Sequence, residues 1–196
     1  AVERADAAGD GWGDAHDAVA GDDEEPVNCG MPIIPFDALP DEARVWVFAA
    51  AAPIPGAAAA MLLDAVDAHL REWRAHGVPL VCARAWRDDR FLAIGVDEAA
   101  SNASGCSIDA LFHALRALEA QLGTSMVGTG AVYWRDAYGA VAMAGRPAFR
   151  AAGAAGTIHA DTHVFDPTVV TVGAWRREFE KPAGASWHAR LLPQVG

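Results

Sequence analysis

Residues 80–96 read LVCARAWRDDRFLAIGV, and this stretch decides the fold. Leu80–Trp86 and Arg90–Val96 are apolar, β-rich runs joined by the turn Arg87-Asp88-Asp89, which reads as two strands and a connection. Upstream, Arg44–Ala50 (RVWVFAA) is a run of the same kind, a third buried strand, broken by Pro53, Pro55 and Gly56. Between them, Ala57–His76 carries helical spacing: Leu62, Val66, His69/Leu70 and Trp73 recur every three to four residues. Gly77 and Pro79 end that helix. Downstream, Ser107–Leu122 repeats the pattern with Ile108, Leu111, Phe112, Leu115, Leu118 and Leu122, and Gly123 follows as a C-cap.

The order is therefore β-α-β-β-α, with further strands expected at Ala131–Arg135 and Ala140–Ala144. It predicts an α+β protein with a ferredoxin-like split βαβ sheet and two helices on one face. Arg44–Ala50 and Arg90–Val96 are then expected as parallel central neighbours. That placement brings loops 50–57 and 97–107, and both helix N-termini, to one sheet edge. Past Gly145 the pattern gives a short helix at Pro147–Ala155, a strand at Thr162–Phe165 and a Thr-capped helix at Thr171–Phe179. A last short helix, capped by Ser186, runs through Leu192. The chain thus divides into an acidic tail (1–30), an α+β core (31–128) and a small C-terminal α/β extension (129–196) packed on or completing the core.

Composition narrows the function classes. Hydrophobic residues make up 53% of the 196, enough for a sizeable core, and seven tryptophans supply large anchors. The net charge is −11, but residues 1–30 hold nine acids against Arg4, leaving the remainder at about −3. That tail lacks apolar periodicity and reads as disordered and dispensable. Neither part has the basic patch a nucleic acid needs. Three cysteines without C-x-x-C spacing argue against a disulfide framework or structural zinc and fit a reducing cytoplasm. No apolar run is long enough to span a bilayer, and the acidic start is unlike a signal peptide.

Several motifs carry a resemblance. LPDEARVWVF (39–48), EWRAHG (72–77), RFLAIGVDE (90–98), SGCSID (104–109), HVFD (163–166) and KPAGASWHARL (181–191) are similar to an uncharacterised bacterial family often labelled "ABC transporter ATPase". The resemblance covers about Phe36 to Leu192 and implies relatives, but no activity, fold or site. The label itself fails on physical grounds. LAIGVDE (92–98) looks like a Walker B strand, and SGCS (104–107) resembles an ABC signature loop, in the wrong order. The phosphate-cradling G-x-x-x-x-G-K-[ST] loop is missing, and the sole lysine, Lys181, follows Glu180 far downstream. Gly128-Thr129-Gly130 fails as a dinucleotide loop, because Tyr133 stands at the third glycine position. In the C-terminal part, AVYWRDAYGAVAM, PAFRAAGAAG and THVFD are similar to small GYF-like peptide-binding modules, without their aromatic signature.

The candidate chemistry centres on Cys106 at the start of the second helix, where the positive helix end favours a thiolate. Ser104, Gly105, Ser107 and Asp109 surround it as ligand-binding candidates. Asp97 and Glu98, ending a buried strand, are candidate acid–base or catalytic partners. Asp109 and His113 have the spacing of a charge pair on the helix surface. His76 is expected at the end of the first helix, favourable to its dipole. Trp46 and Trp73 read as core, and Trp187 as the anchor of the C-terminal part. His159, Asp161 and His163 alternate as metal ligands on a strand would, but they sit in a loop-like stretch and no metal or other cofactor is expected. The leading expectation is a cytoplasmic domain binding a small anionic ligand or a protein partner. The alternative is a thiol-dependent enzyme using Cys106.

Overall fold

A computed structural model of the chain describes residues 33–100 and 103–193. The expected 1–30 tail lies outside them. The three apolar runs form β1 (Arg44–Ala49), β4 (Cys82–Arg87) and β5 (Phe91–Val96), in a sheet of order β1-β5-β4. Every pairing in it is antiparallel, including β1 with β5, where Arg44 faces Val96 and Ala49 faces Phe91. This overturns the expected parallel neighbours, for a simple reason. Asp88 and Asp89, both at positive φ, fold the chain straight back after Arg87, so β5 must run opposite to β4. The helical crossover makes β4 parallel to β1, and β5 slots between them, opposed to both.

That crossover is α1 (Gly56–Arg71), which buries Leu62, Val66 and Leu70. It is shorter than expected. His76 and Gly77 adopt φ of 52° and 81° and form the two-residue turn of a small hairpin, β2 (Arg74–Ala75) and β3 (Val78–Pro79). His76 is therefore a turn residue and not the end of a helix. Helix α2 (Gly105–Leu122) starts two residues earlier than expected and ends on Gly123 at φ 65°. Both helices pack on one face of the sheet, where Phe48, Leu92, Ile94 and Val96 meet Leu62, Val66, Leu111 and Leu115.

The opposite face is lined by small residues. Ala83, Ala93 and Gly95 leave room for Leu39 and for Val172 of α4 (Val172–Glu178). A side chain at Gly95 would overlap Leu39. Further along this face, Phe91 meets Tyr133, Phe165 and Phe179 in an aromatic cluster. Three of those rings belong to the C-terminal part. There β6 (Val132–Arg135), β7 (Val141–Ala144), β8 (His163–Phe165) and β9 (Glu180–Pro182) make a second antiparallel sheet of order β7-β6-β8-β9. An ion-pair network reinforces the joint. Arg87, beside the β4–β5 turn, and Arg135 of β6 both reach Glu180, and Arg135 also pairs with Asp88 at 3.0 Å. Helix α3 (Arg146–Ala154) and the 3₁₀ turn Trp187–Leu191 cover Val132 and Val164 through Phe149 and Leu191.

The outer edge of β1 is only partly covered. Val45 N–H donates to Val170 O, and Val172 N–H to Ala43 O, so Thr171 clips the start of the strand. No further strand runs beside β1 among the described residues. No helix there is long and apolar enough to cross a membrane.

Candidate functional site

At the N-terminus of α2, Ser104 and Ser107 form a capping box. The Ser104 hydroxyl accepts from Ser107 N at 3.2 Å, and the Ser107 hydroxyl accepts from Ser104 N at 2.9 Å. The Trp73 indole donates to Ser107 O at 2.8 Å and ties the turn to the end of α1. Cys106 is exposed there, beside a cleft of about 410 Å3 whose walls include His69, Trp73, Arg74 and His76. Burial holds the His69 imidazole below its ordinary range, and its buried Nε2 has no partner among the described residues.

The remaining predicted residues disperse. With β5 antiparallel to β1, loops 50–57 and 97–107 leave opposite ends of the sheet. Ile54 N–H reaches Asp89 O beside the β4–β5 turn, whereas Glu98 pairs with Arg44 at 3.4 Å at the other end. Asp97 accepts from its own neighbour Ala99 N at 3.0 Å. Neither acid lines the Cys106 cleft. Gly105, the first residue of α2, is exposed, as are Asp109 and His113, which form no ion pair with each other. His159, Asp161 and His163 border an open cavity of about 670 Å3. Among the described residues no group of three or more His, Cys, Asp or Glu is placed to hold a metal ion.

A second cleft, unforeseen in the sequence, runs along β1. The backbone groups of alternate residues on an edge strand point outward. From the residue before β1 onward those are Ala43, whose C=O accepts from Val172 N–H, and Val45, whose N–H donates to Val170 O, then Val47 and Ala49. Ala49 O accepts from the Tyr133 hydroxyl at 3.0 Å. The N–H and C=O of Val47 have no partner among the described residues, nor has the N–H of Ala49. Two cavities, of about 190 and 280 Å3, meet over Val47. They share the walls Met126, Gly128, Pro167 and Thr168.

Both walls are fixed from behind. The Glu119 carboxylate of α2 accepts from Met126 N at 2.5 Å and Val127 N at 2.7 Å. Gly128 and Gly130, at φ of 73° and 60°, then turn the chain into β6 where a side chain would be strained. On the other side, Asp166 accepts from Thr168 N at 2.9 Å and from its hydroxyl at 2.5 Å, an Asx turn that stiffens the wall. The groove ends at Arg146 and Trp187. Beyond them lies a cavity of about 430 Å3, lined by Arg146, Arg150, Arg190 and Trp187.

Fold and clefts together define an α+β protein whose three-stranded antiparallel sheet keeps one edge partly open inside a walled groove. Comparison with protein-family models, curated proteins and solved structures returns no significant match.

Proposed function

We propose that the protein is a binding module that takes an extended peptide segment as an added strand on the open edge of β1. The observation that carries this reading is the unpartnered N–H and C=O of Val47 on the floor of a preformed groove. An extended peptide would supply the missing hydrogen bonds, and the walls would select its side chains. The order β1-β5-β4 is the order that three strands take in a ferredoxin-like split βαβ sheet, which supports that reading of the fold. In that arrangement a fourth strand would lie beside β1, and the groove occupies its place. Side-chain preference at the walls is apolar, through Met126, Val127 and Val169. A free buried thiol at Cys82 and a free exposed one at Cys106 suit a reducing compartment, the cytoplasm.

The test is amide hydrogen exchange followed by NMR, with peptides selected from a random extended library. Val47 and Ala49 amides are expected to exchange fast in the free protein and to gain protection with peptide. N-methylation of alternate peptide residues should abolish binding without touching the protein. Peptides that bind while leaving both amides unprotected would remove the reading.

A second reading, thiol chemistry at Cys106, is favoured by one observation: the exposed thiol shares a cleft with two imidazoles, His69 and His76. Iodoacetamide labelling no faster than that of a free cysteine peptide would dispose of it.

A further inference from the structure

Several arginines of this acidic chain are already matched with carboxylates. Arg84 pairs with Asp67, Arg87 and Arg135 with Glu180, and Arg176 and Arg177 with Asp41. Three that are not stand together. Arg146 and Arg150 lie one turn apart on α3, where like charges repel, and Arg190 joins them from the 3₁₀ turn. Among the described residues no carboxylate or hydrogen bond reaches any of the three. Arg146 is held over the Trp187 ring, 5.4 Å from its centroid. The indole Nε1 of Trp187 is buried and has no acceptor among the described residues. Thr168, Arg146 and Trp187 line both this cavity and the β1 groove, so the two are one continuous surface.

Building on the strand-addition reading, we propose that the peptide partner carries a cluster of acidic side chains at one end, and that Arg146, Arg150 and Arg190 receive it. The three guanidiniums offer forked donors suited to carboxylates, and they are too many for a single terminal carboxylate. Strand addition places the peptide; the arginine cavity tells an acidic peptide from a neutral one and fixes which end lies at Trp187.

Fluorescence anisotropy with the full chain tests this. The probes are labelled, amidated peptides with a Thr-Val-Thr-Val segment and a block of three glutamates at either end, and matched peptides with three glutamines. One glutamate peptide is expected to bind at least ten-fold tighter than its glutamine match. That advantage should vanish in Arg150→Gln/Arg190→Gln, whose substituted side chains are exposed, and in 0.5 M salt, roughly a 4 Å screening length. Equal affinity for glutamate and glutamine peptides would overturn the acidic assignment and leave strand addition standing. Binding of neither would remove both. The chain's own Asp22, Asp23, Glu24 and Glu25 are a rival occupant. If amidating them (Asp22→Asn, Asp23→Asn, Glu24→Gln, Glu25→Gln) raised peptide affinity ten-fold, the site would belong to the chain itself and the proposal of a separate partner would fall.

Discussion

The two clefts use their polar groups in opposite ways. Around Cys106, the helix cap is spent on the fold: Ser104 and Ser107 satisfy each other's backbone, and the Trp73 indole is committed to Ser107 O, with the His69 Nε2 the exception. Along β1, Glu119 and Asp166 are spent on the walls, while among the described residues the floor at Val47 and the arginines at the far end have no hydrogen-bond or carboxylate partner. A cleft whose polar groups hold the chain together reports on stability when it is mutated. One whose polar groups are left over reports on binding.

The largest effect expected from this contrast is at Trp73, 3% exposed. Trp73→Ala should lower unfolding free energy in urea by about 3–5 kcal/mol, through the cavity and the lost hydrogen bond. A loss below about 1 kcal/mol would break the contrast, since the Cys106 cleft would then not be structural.

Next comes His188, packed behind the groove, stacked on Trp187 and 1% exposed. Burial pushes its imidazole from 6.5 down to about 4. The unfolded chain takes up this proton at higher pH than the native one, so stability rises with pH across that window. The contribution is whole above about pH 6.5 and is lost as pH falls from there through about 4. It amounts to about 3 kcal/mol. Urea midpoints at pH 7 and pH 4 should diverge less in His188→Phe than in the unsubstituted protein; identical divergence would show that His188 protonates freely.

Removing the cap with Ser104→Ala should cost about 1 kcal/mol and leave peptide affinity unchanged, by thermal melts and anisotropy together. A ten-fold change in affinity would join the two clefts into one site. The smallest effect is expected at Cys106. Cys106→Ser should shift stability by less than about 0.5 kcal/mol, again with peptide binding intact.

What the sequence showed clearly was local. The stripe Leu62, Val66, Leu70 on α1, the Gly123 stop and the Thr171 cap are each written within two or three helical turns, and each forms. Both helices do share one face. Strand direction was misjudged because apolar runs such as RVWVFAA look alike in either orientation. The two positive-φ aspartates after Arg87 held the correct signal. The β2–β3 hairpin was hidden under a helical pattern that runs on through Trp73. The groove was not legible, since its floor and walls come from residues 45–49, 126–130 and 167–170, which meet only in the fold. Arg146 and Arg150 show a four-residue spacing that invited notice; Arg190 joins them only through tertiary packing.

The clip at Thr171 also has a consequence in time. β1 is made early, but the segment that covers the start of its edge follows only after roughly 120 more residues. At roughly 5–20 residues per second on the ribosome, that leaves about 6–24 s in which the whole edge of β1 has no cover. Through that interval the nascent chain offers RVWVFA as a bare, hydrophobic template for a neighbouring polypeptide. Slow translation between Ala49 and Thr171 should therefore increase co-translational aggregation more than the same delay placed after Val172.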